Sequence, residues 1–157
     1  MSTTHWMPQY CPATRPRPGV GVGSRLEVVV VHTAIPATLQ ALKTAAALAK
    51  GLAARIRLLV PQVVPYPLPL AEPPLPTSFR ERRFRTVAEG MAVETAVEIV
   101  ACRDICSALE AVLRPRSLVV LGERGSGWAR MGRPSAETRL AQRLRTLGHQ
   151  VVFADWQ

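Results

Sequence analysis

The chain has 157 residues, of which 48% are hydrophobic, and its 20 Lys and Arg against 11 Asp and Glu give a formal net charge of +9. This length predicts one domain with a substantial core, and the hydrophobic content excludes a wholly disordered chain. Three cysteines do not suggest a disulfide scaffold, so a reducing, cytoplasmic compartment is expected. No apolar run reaches the ~18 residues that span a bilayer, and residues 1–24 do not resemble a secretory signal.

The positive charge comes mainly from arginine. A basic chain can bind nucleic acid, an anionic lipid surface or a phosphorylated ligand. These arginines are scattered and form no domain-wide stripe, so a solvated, arginine-rich surface is the favoured interpretation. Electrostatic attachment to nucleic acid or to an anionic membrane is a third hypothesis about function, and a strong salt dependence of binding would reveal it.

Residues 1–24 contain four prolines, with three glycines near their end, and are predicted to form a flexible tail before a domain over residues 25–157. Strands and helices then alternate along the chain. The predicted strands are residues 26–31, 55–60, 93–101, 118–121 and 151–154. The first predicted helix has Pro36 in its first turn and ends at Lys50-Gly51. The other three predicted helices are residues 79–90, residues 105–113, which follow an Asp104 cap, and residues 134 or 135 to 147.

The segment 61–78 contains seven prolines and is predicted to be neither regular helix nor central strand. A loop of this length is either a functional lid or a partner-binding segment. A rigid polyproline spacer along the surface is an equally good interpretation. The sequence leaves these alternatives open.

Strict alternation of strands and helices predicts an α/β fold, with one doubly wound five-stranded parallel sheet covered by helices on both faces. The crossovers are expected to be right-handed. In such sheets a ligand crevice lies at the carboxyl ends of the strands, where the winding reverses direction.

The segment 117–127 predicts a site at this edge, because a buried strand runs directly into a glycine-rich turn with a helix behind it. Glycines can adopt positive φ and let the backbone approach a phosphate closely; these are Gly122, Gly125 and Gly127. Arginines would add charge-assisted hydrogen bonds; these are Arg124, Arg130 and Arg133. Ser135 would present its hydroxyl at a helix start. The alternative is a tight strand-to-helix connection with no ligand.

The other candidate groups carry weaker signals. His32 ends a buried strand and is interpreted as a structural or crevice-lining side chain. Cys102 and Cys106 are interpreted as buried small hydrophobic residues. His149 has no convincing partner in the sequence, and no His, Asp and Glu cluster has metal-ligand spacing, so no metal is predicted.

Four features together point to a known family. They are the first strand followed by the helix 33–49, the second strand leading into a proline-rich connection, the short helix 104–113 before an apolar strand, and the turn 121–125. With these features, residues 26–154 resemble the universal stress protein family.

The resemblance implies strand order 3-2-1-4-5, a homodimer paired through the last strand, and a role in the stress response. Nucleotide-binding members carry Gly, two residues, Gly, nine residues, then Gly before Ser or Thr. Gly122 and Gly125 match the first two glycines of this motif. Ser135 stands at the position of the third glycine, and Gly132 takes that place only if the loop is shorter. The implied ligand is ATP or another adenine nucleotide.

Two positions differ from those members. Thr33, or His32 if the register shifts, stands where they have the Asp that ends the first strand. Their adenine-reading backbone corresponds to Val60-Pro61, and proline has no N–H to donate.

The sequence therefore predicts a binding or regulatory protein of this type, not an enzyme of high turnover. Its nucleotide or phosphate site is predicted to comprise Thr33, Val60, Gly122, Arg124, Gly125, Ser126 and Ser135. The alternative is a dimeric protein-interaction module of the same fold that binds no nucleotide, with the proline-rich loop, the tail and the last strand as its working surfaces.

Overall fold

A computed structural model of the chain describes residues 26–122 and 134–154. Within them the elements are β1 (Glu27–Val31), α1 (Ile35–Leu52), β2 (Arg55–Val63), α2 (Thr77–Glu89), β3 (Thr95–Cys102), α3 (Ile105–Val112), β4 (Leu118–Gly122), α4 (Ala136–Thr146) and β5 (Gln150–Ala154). All neighbouring strands are parallel, in the order β3-β2-β1-β4-β5. The predicted α/β fold with strand order 3-2-1-4-5 is confirmed.

The hydrophobic core lies on both faces of the sheet. Val28 and Val30 of β1 pack against a cluster that includes Phe84 of α2 and side chains of α1. Val29 and Val31 point the other way, into a cluster built by α3 and α4. Because both faces are covered, β1 is an uninterrupted β-branched run, as expected for the centre of a parallel sheet.

The second strand is longer than predicted and passes through Pro61 to Val63. The prediction that Pro61 lies outside a strand was therefore wrong. Successive residues of β2 point their backbone groups alternately towards β3 and towards β1: the Ile56 N–H donates to the Glu94 carbonyl beside β3, and the Arg55 N–H donates to the Leu26 carbonyl beside β1. Pro61 is an even number of residues from Arg55, so its backbone nitrogen points towards β1.

On that side β1 has already ended. Its last residue, Val31, pairs with Leu59, and the His32 N–H still reaches the Leu59 carbonyl at 2.8 Å. Among the described residues no strand lies beside Pro61 on this side, so its missing N–H breaks no sheet hydrogen bond.

The proline-rich connection shortens accordingly to residues 64–76, and side chains from the sheet anchor it. Gln62 donates from Nε2 to the Leu75 carbonyl at 2.8 Å. Arg103 donates to the Leu68 carbonyl at 2.5 Å, and its guanidinium lies 4.1 Å from the centroid of the Tyr66 ring. The connection is therefore held near both of its ends.

The helix boundaries follow their capping residues. Asp104 and Ser135 are the N-caps of α3 and α4, and each side chain accepts a hydrogen bond from a backbone N–H three residues later. The expected end of α1 at Gly51 was wrong, because the helix continues to Leu52 and its cap is Ala53, in the left-handed conformation with φ 49°.

A charged cluster covers the amino-terminal half of the α3/α4 face. Arg57 lies 2.6 Å from Glu98 and 3.8 Å from Glu27, and Arg55 lies 2.9 Å from Glu27. The eight residues of α3 extend only about 12 Å, whereas the nine residues of β2 extend about 30 Å. The ion pairs fill the area that the short helix leaves uncovered.

Candidate ligand-binding crevice

A cavity of about 450 Å³ opens at the carboxyl ends of β1 and β2. Helices α2, α3 and α4 surround it. Its lining residues are His32, Thr33, Pro61, Val63, Arg80, Ile105, Ala136, Glu137 and Leu140. Because β1 has β2 on one side and β4 on the other, the cavity lies where the winding of the sheet reverses, as predicted.

Hydrogen bonding fixes the tautomer of His32. Its Nδ1 lies 2.8 Å from the Thr38 hydroxyl oxygen, and the Thr38 hydroxyl donates its own hydrogen to the Ala34 carbonyl at 2.8 Å. The Thr38 oxygen must therefore accept from His32, which places the imidazole proton on Nδ1 and leaves Nε2 as an acceptor. The edge-to-face contact with Phe84, at a centroid distance of 4.7 Å, fixes the ring plane.

The charges that act on His32 are positive. Burial, together with the nearby guanidinium groups of Arg80 and Arg83, lowers the pKa of His32 from its ordinary 6.5 to about 4. The imidazole is therefore neutral at neutral pH. A field that opposes protonation of His32 also favours an anion in the cavity beside it.

Thr33 brings a second polar group to the cavity. Its hydroxyl oxygen is buried and has no hydrogen-bond partner among the described residues. A buried hydroxyl without a partner costs free energy, and most such groups in proteins are satisfied. A ligand that occupies the cavity would supply the missing partner.

The first turn of α4 forms another part of the wall. Ser135 caps this helix by accepting from the Thr138 N–H at 3.0 Å, and its hydroxyl lies 2.9 Å from the Thr138 hydroxyl. The Ser135 side chain is thus engaged in capping. Ala136 and Glu137 line the cavity, so the positive end of the helix dipole lies beside it, with the Glu137 carboxylate close by.

Gly122 has a packing role that the sequence did not predict. The expected positive φ is wrong, since among the described glycines only Gly148 has one. A β-carbon at position 122 would instead lie 1.9 Å from the carbonyl oxygen of Ala37. Gly122 thus allows the first turn of α1 to pack directly on the end of β4.

Of the remaining predicted site residues, only Val60 lies in the part of the chain that the structure describes. Val60 is fully buried in the core beneath α1 and α2 and does not line the cavity. The other predicted site residues lie outside the described residues, as do the further glycines and arginines of that turn: Arg124, Gly125, Ser126, Gly127, Arg130, Gly132 and Arg133.

Sequence reasoning missed two contacts. Arg80 is one of the arginines that the sequence analysis assigned to a solvated surface, but it lines the cavity. Its position four residues before the buried Phe84 is the signal that it shares the inward face. His149, for which no partner was found in the sequence, is buried and accepts from the Ser117 N–H at Nδ1, 3.3 Å away.

The cysteines behave as apolar side chains. Cys102 is buried at the end of β3, and burial raises the pKa of its thiol to about 11. Burial also raises the pKa of the half-buried Cys106 thiol. Both thiols are therefore protonated at neutral pH and are weak nucleophiles.

Two kinds of feature are absent from the part of the chain that the structure describes. No group of three or more His, Cys, Asp and Glu side chains is placed to hold a metal ion in residues 26–122 and 134–154. None of the helices in these ranges combines the length and hydrophobicity needed to cross a membrane.

No model of a known protein family matches the chain, and no curated protein is significantly similar to it.

Proposed function

We propose that the chain is a binding and regulatory protein of the universal stress protein type, whose crevice binds a nucleotide or another phosphorylated ligand. The observation that supports this most strongly is the Thr33 hydroxyl, which has no partner among the described residues and lies in the same cavity as Arg80. The two side chains offer a neutral hydrogen-bonding group and a cation to one occupant. This pairing suits a ligand that carries both hydroxyl and phosphate groups.

The size and shape of the cavity agree with such a ligand. A volume of about 450 Å³ lies within the ~300–1,000 Å³ of small-molecule sites. Pro61, Val63, Ile105 and Leu140 provide apolar walls. The polar groups are few and converge on one space, which is the usual composition of a ligand site.

His32 supports binding rather than turnover. Its Nδ1 proton is engaged with Thr38, and its low pKa keeps the ring neutral. A neutral Nε2 accepts a hydrogen bond from a ligand donor but carries no proton to deliver near pH 7. With a pKa of about 4 the imidazole is also a weak base, so the proposed role of the crevice is ligand binding and not chemistry by a dedicated base.

In this proposal the crevice recognises the phosphate group of the ligand and not its adenine base. Pro61 stands in the cavity wall and has no N–H to offer a base. ATP, ADP, AMP and inorganic phosphate should therefore be compared by calorimetry at near-physiological salt. If phosphate dominates, the affinity should rise with the number of phosphates.

Arg80 and Arg82 provide a matched pair of variants on one helix. Arg80 lines the cavity, whereas Arg82 is exposed and donates to the Ser78 carbonyl of its own helix. We expect Arg80→Gln to weaken nucleotide binding by at least tenfold, because a charge-assisted hydrogen bond contributes about 1.5–3 kcal/mol. Arg82→Gln should leave the affinity within about twofold of the unmodified chain, because a surface charge of this kind contributes little.

Thr33→Val separates binding from folding. The substitution removes a hydroxyl that has no partner in the described structure, so the melting temperature should stay the same or rise. Affinity should fall if the ligand bonds to this hydroxyl. The proposal fails if nucleotides and phosphate give no saturable heat at millimolar concentration with folded protein, or if Arg80→Gln and Arg82→Gln behave alike.

A second candidate function is favoured by the connection between β2 and α2. Tyr66 is 73% exposed and Leu75 is 47% exposed, yet Arg103 and Gln62 hold this segment in place. A fixed, exposed, apolar segment suits docking of a protein partner. Loss of partner binding in Tyr66→Ser, with nucleotide binding unchanged, would support this alternative function.

A further inference from the structure

Exposed hydrophobic side chains are concentrated at one place on the molecule. Among the described residues nine large hydrophobic side chains are exposed, and four of them lie in the connection 64–76 or in the first turn of α2: Tyr66, Leu68, Leu75 and Phe79. These four side chains are named the apolar patch. The connection leaves the carboxyl end of β2 and leads into α2, so the apolar patch lies at the carboxyl edge of the sheet. Grouped exposed apolar side chains of this kind mark an interaction surface.

The backbone beneath the apolar patch needs few hydrogen bonds from a partner. Six of the thirteen residues 64–76 are prolines, which have no N–H. Arg103 and Gln62 donate to three carbonyl oxygens of the connection, and backbone N–H groups occupy three more. These six carbonyls belong to Val64, Pro65, Leu68, Pro69, Leu75 and Pro76. The segment can therefore enter a medium poor in hydrogen-bonding groups at little cost.

The outward face of α2 places positive charge beside the apolar patch. Phe84 points into the core. Arg82 and Arg83 follow Phe79 by three and four residues, so these three side chains share the opposite, exposed face of the helix. Neither arginine forms an ion pair with a carboxylate of the described residues. Both guanidinium groups are therefore available to an anionic partner.

The nearby acidic residues do not offset this charge. Glu81 already bonds to Arg85 on the same helix. Glu72 is the one acidic residue of the connection 64–76. The Arg103 guanidinium, 4.1 Å from the centroid of the Tyr66 ring, adds a further cation. The apolar patch is thus bordered by net positive charge.

An anionic bilayer offers what both parts of this surface require. Its phosphate groups accept the charge-assisted hydrogen bonds of arginine, and its acyl boundary takes up leucine and phenylalanine side chains. Nucleic acid would bind the arginines but leave the leucines without an apolar contact. A protein partner would find few backbone groups to bond to in the connection. Positive charge and apolar exposure together therefore favour a lipid surface.

We propose that the connection 64–76 and the first turns of α2 attach the chain to the surface of an anionic bilayer. The apolar patch enters the headgroup region, and Arg82 and Arg83 bind lipid phosphates. Gln62 and Arg103 already hold the connection in place, so little conformational entropy is lost on binding. None of the side chains that contact lipid lines the crevice, so the attachment does not depend on the function proposed above.

Co-sedimentation of the full chain with vesicles tests the attachment. One set of vesicles contains equal parts of phosphatidylcholine and phosphatidylglycerol, and the other contains phosphatidylcholine alone, both at near-physiological salt. We expect the chain to bind the anionic vesicles at least about tenfold more tightly, because each arginine near the surface adds to the attraction. Equal binding to both sets, or no binding to anionic vesicles at millimolar lipid, would overturn the proposal.

Two leucines at opposite edges of the sheet give a matched test of insertion. Leu75 is 47% exposed, and Leu52 is 46% exposed at the end of α1, on the amino edge of the sheet. Leu75→Ser should weaken binding to the anionic vesicles about fivefold or more, because this side chain leaves water on binding, whereas Leu52→Ser should leave the affinity within about twofold. If the two variants behave alike, the chain adsorbs by charge alone and the proposal is wrong.

Two pairs of arginines test the electrostatic part in the same way. Arg82→Gln with Arg83→Gln removes the cations beside the apolar patch, and Arg114→Gln with Arg116→Gln removes two exposed cations between α3 and β4, at the amino edge. We expect the first pair to weaken vesicle binding at least about tenfold and the second pair to leave it within about threefold. Equal losses would show that net charge, and not this surface, drives binding. Binding of the unmodified chain to polyuridylate but not to vesicles, lost in the first pair, would assign the arginines to nucleic acid instead.

Hydrogen exchange of the unmodified chain covers the case in which a variant does not fold, as judged by circular dichroism. The Thr77 and Ser78 amides lie in the first turn of α2, where N–H groups have no acceptor within the helix. Their exchange should slow when anionic vesicles are added, whereas exchange at the Arg114 and Arg116 amides should not change. Protection at residues 114–116 alone, or at neither place, would overturn the proposal.

Discussion

Gly122, the last residue of β4, lies so close to the first turn of α1 that a β-carbon there would be 1.9 Å from the Ala37 carbonyl oxygen. Both residues are buried, and Ala37 itself is 1% exposed. This packing alone accounts for a glycine at position 122. The first glycine of the turn is therefore explained by helix packing, whether or not a ligand binds.

Gly122→Ala should destabilise the fold by about 2–4 kcal/mol, since the helix or the strand must shift to admit the methyl group. The measurement is the free energy of unfolding in urea. Gly90→Ala is the matched control, because a β-carbon there meets its nearest atom at 3.5 Å, an ordinary contact. We expect that control within about 0.5 kcal/mol of the unmodified chain. Equal stability of the two variants would contradict the packing role.

The strand β1 and the starts of α3 and α4 were predicted correctly from local chemistry, because the sequence contains everything that these features need. The β-branched run of β1 identifies a strand covered on both faces. Asp104 and Ser135 identify helix starts, since each caps an N–H three residues along the chain. These interactions span a few residues and do not depend on where distant elements lie.

Predictions that depended on distant elements were wrong or incomplete. Pro61 is tolerated in β2 only because β1 ends two residues earlier in the register. Arg80 enters the cavity because α2 packs on β3 beside the end of β1. Neither fact is contained in the local sequence. Pro61 was therefore interpreted as lying outside the strand, and Arg80 as facing solvent.

The stability of the fold should depend on pH through His32. The folded chain binds a proton at this imidazole only near pH 4, whereas the unfolded chain binds it near pH 6.5. The contribution of His32 to the free energy of unfolding is therefore fully present above about pH 6.5 and is lost as the pH falls towards 4. For this half-buried ring, solvent screening reduces the loss to about 1–2 kcal/mol. Urea unfolding between pH 4 and 7.5 measures it.

His32→Asn is the control for this pH dependence. Asparagine retains an amide that can donate to Thr38 but does not titrate, so the difference between the two proteins isolates the imidazole. The curve of the variant should be flatter between pH 6.5 and 4. Parallel curves for the two proteins would show that His32 does not contribute.

The charged cluster on the sheet should depend much more on Arg57 than on Arg55. The Arg57 side chain is 17% exposed and contacts both Glu27 and Glu98, whereas Arg55 is 41% exposed. Arg57→Met leaves Glu98 without its partner in a partly desolvated site, so we expect a loss of about 2–3 kcal/mol. Arg55→Met should cost less than about 1 kcal/mol.

The two variants are compared by urea unfolding at pH 7 and in high salt. Because the Arg57 pair is shielded from solvent, its loss should persist in salt, while any effect at Arg55 should shrink. Equal losses at both positions would show that the cluster behaves as an ordinary surface network.

The end of α1 offers a way to stabilise the chain. Ala53 caps this helix in the left-handed conformation, with φ 49° and ψ 36°, which costs a non-glycine residue about 1 kcal/mol. Gly51 lies two residues earlier inside the helix, where a β-carbon would meet nothing within 4 Å. The glycine is therefore two residues away from the position where it helps.

Ala53→Gly and Gly51→Ala should each raise the free energy of unfolding, by up to about 1 kcal/mol, for different reasons. The first relieves backbone strain at the cap, and the second lowers the conformational entropy of the unfolded chain and raises helix propensity. Because position 53 has a positive φ and position 51 does not, Gly51→Ala should stabilise the chain even when Ala53 is kept. Thermal and urea unfolding of both single variants and the double variant test this. Destabilisation by Ala53→Gly would show that the cap is not strained and that α1 ends for another reason.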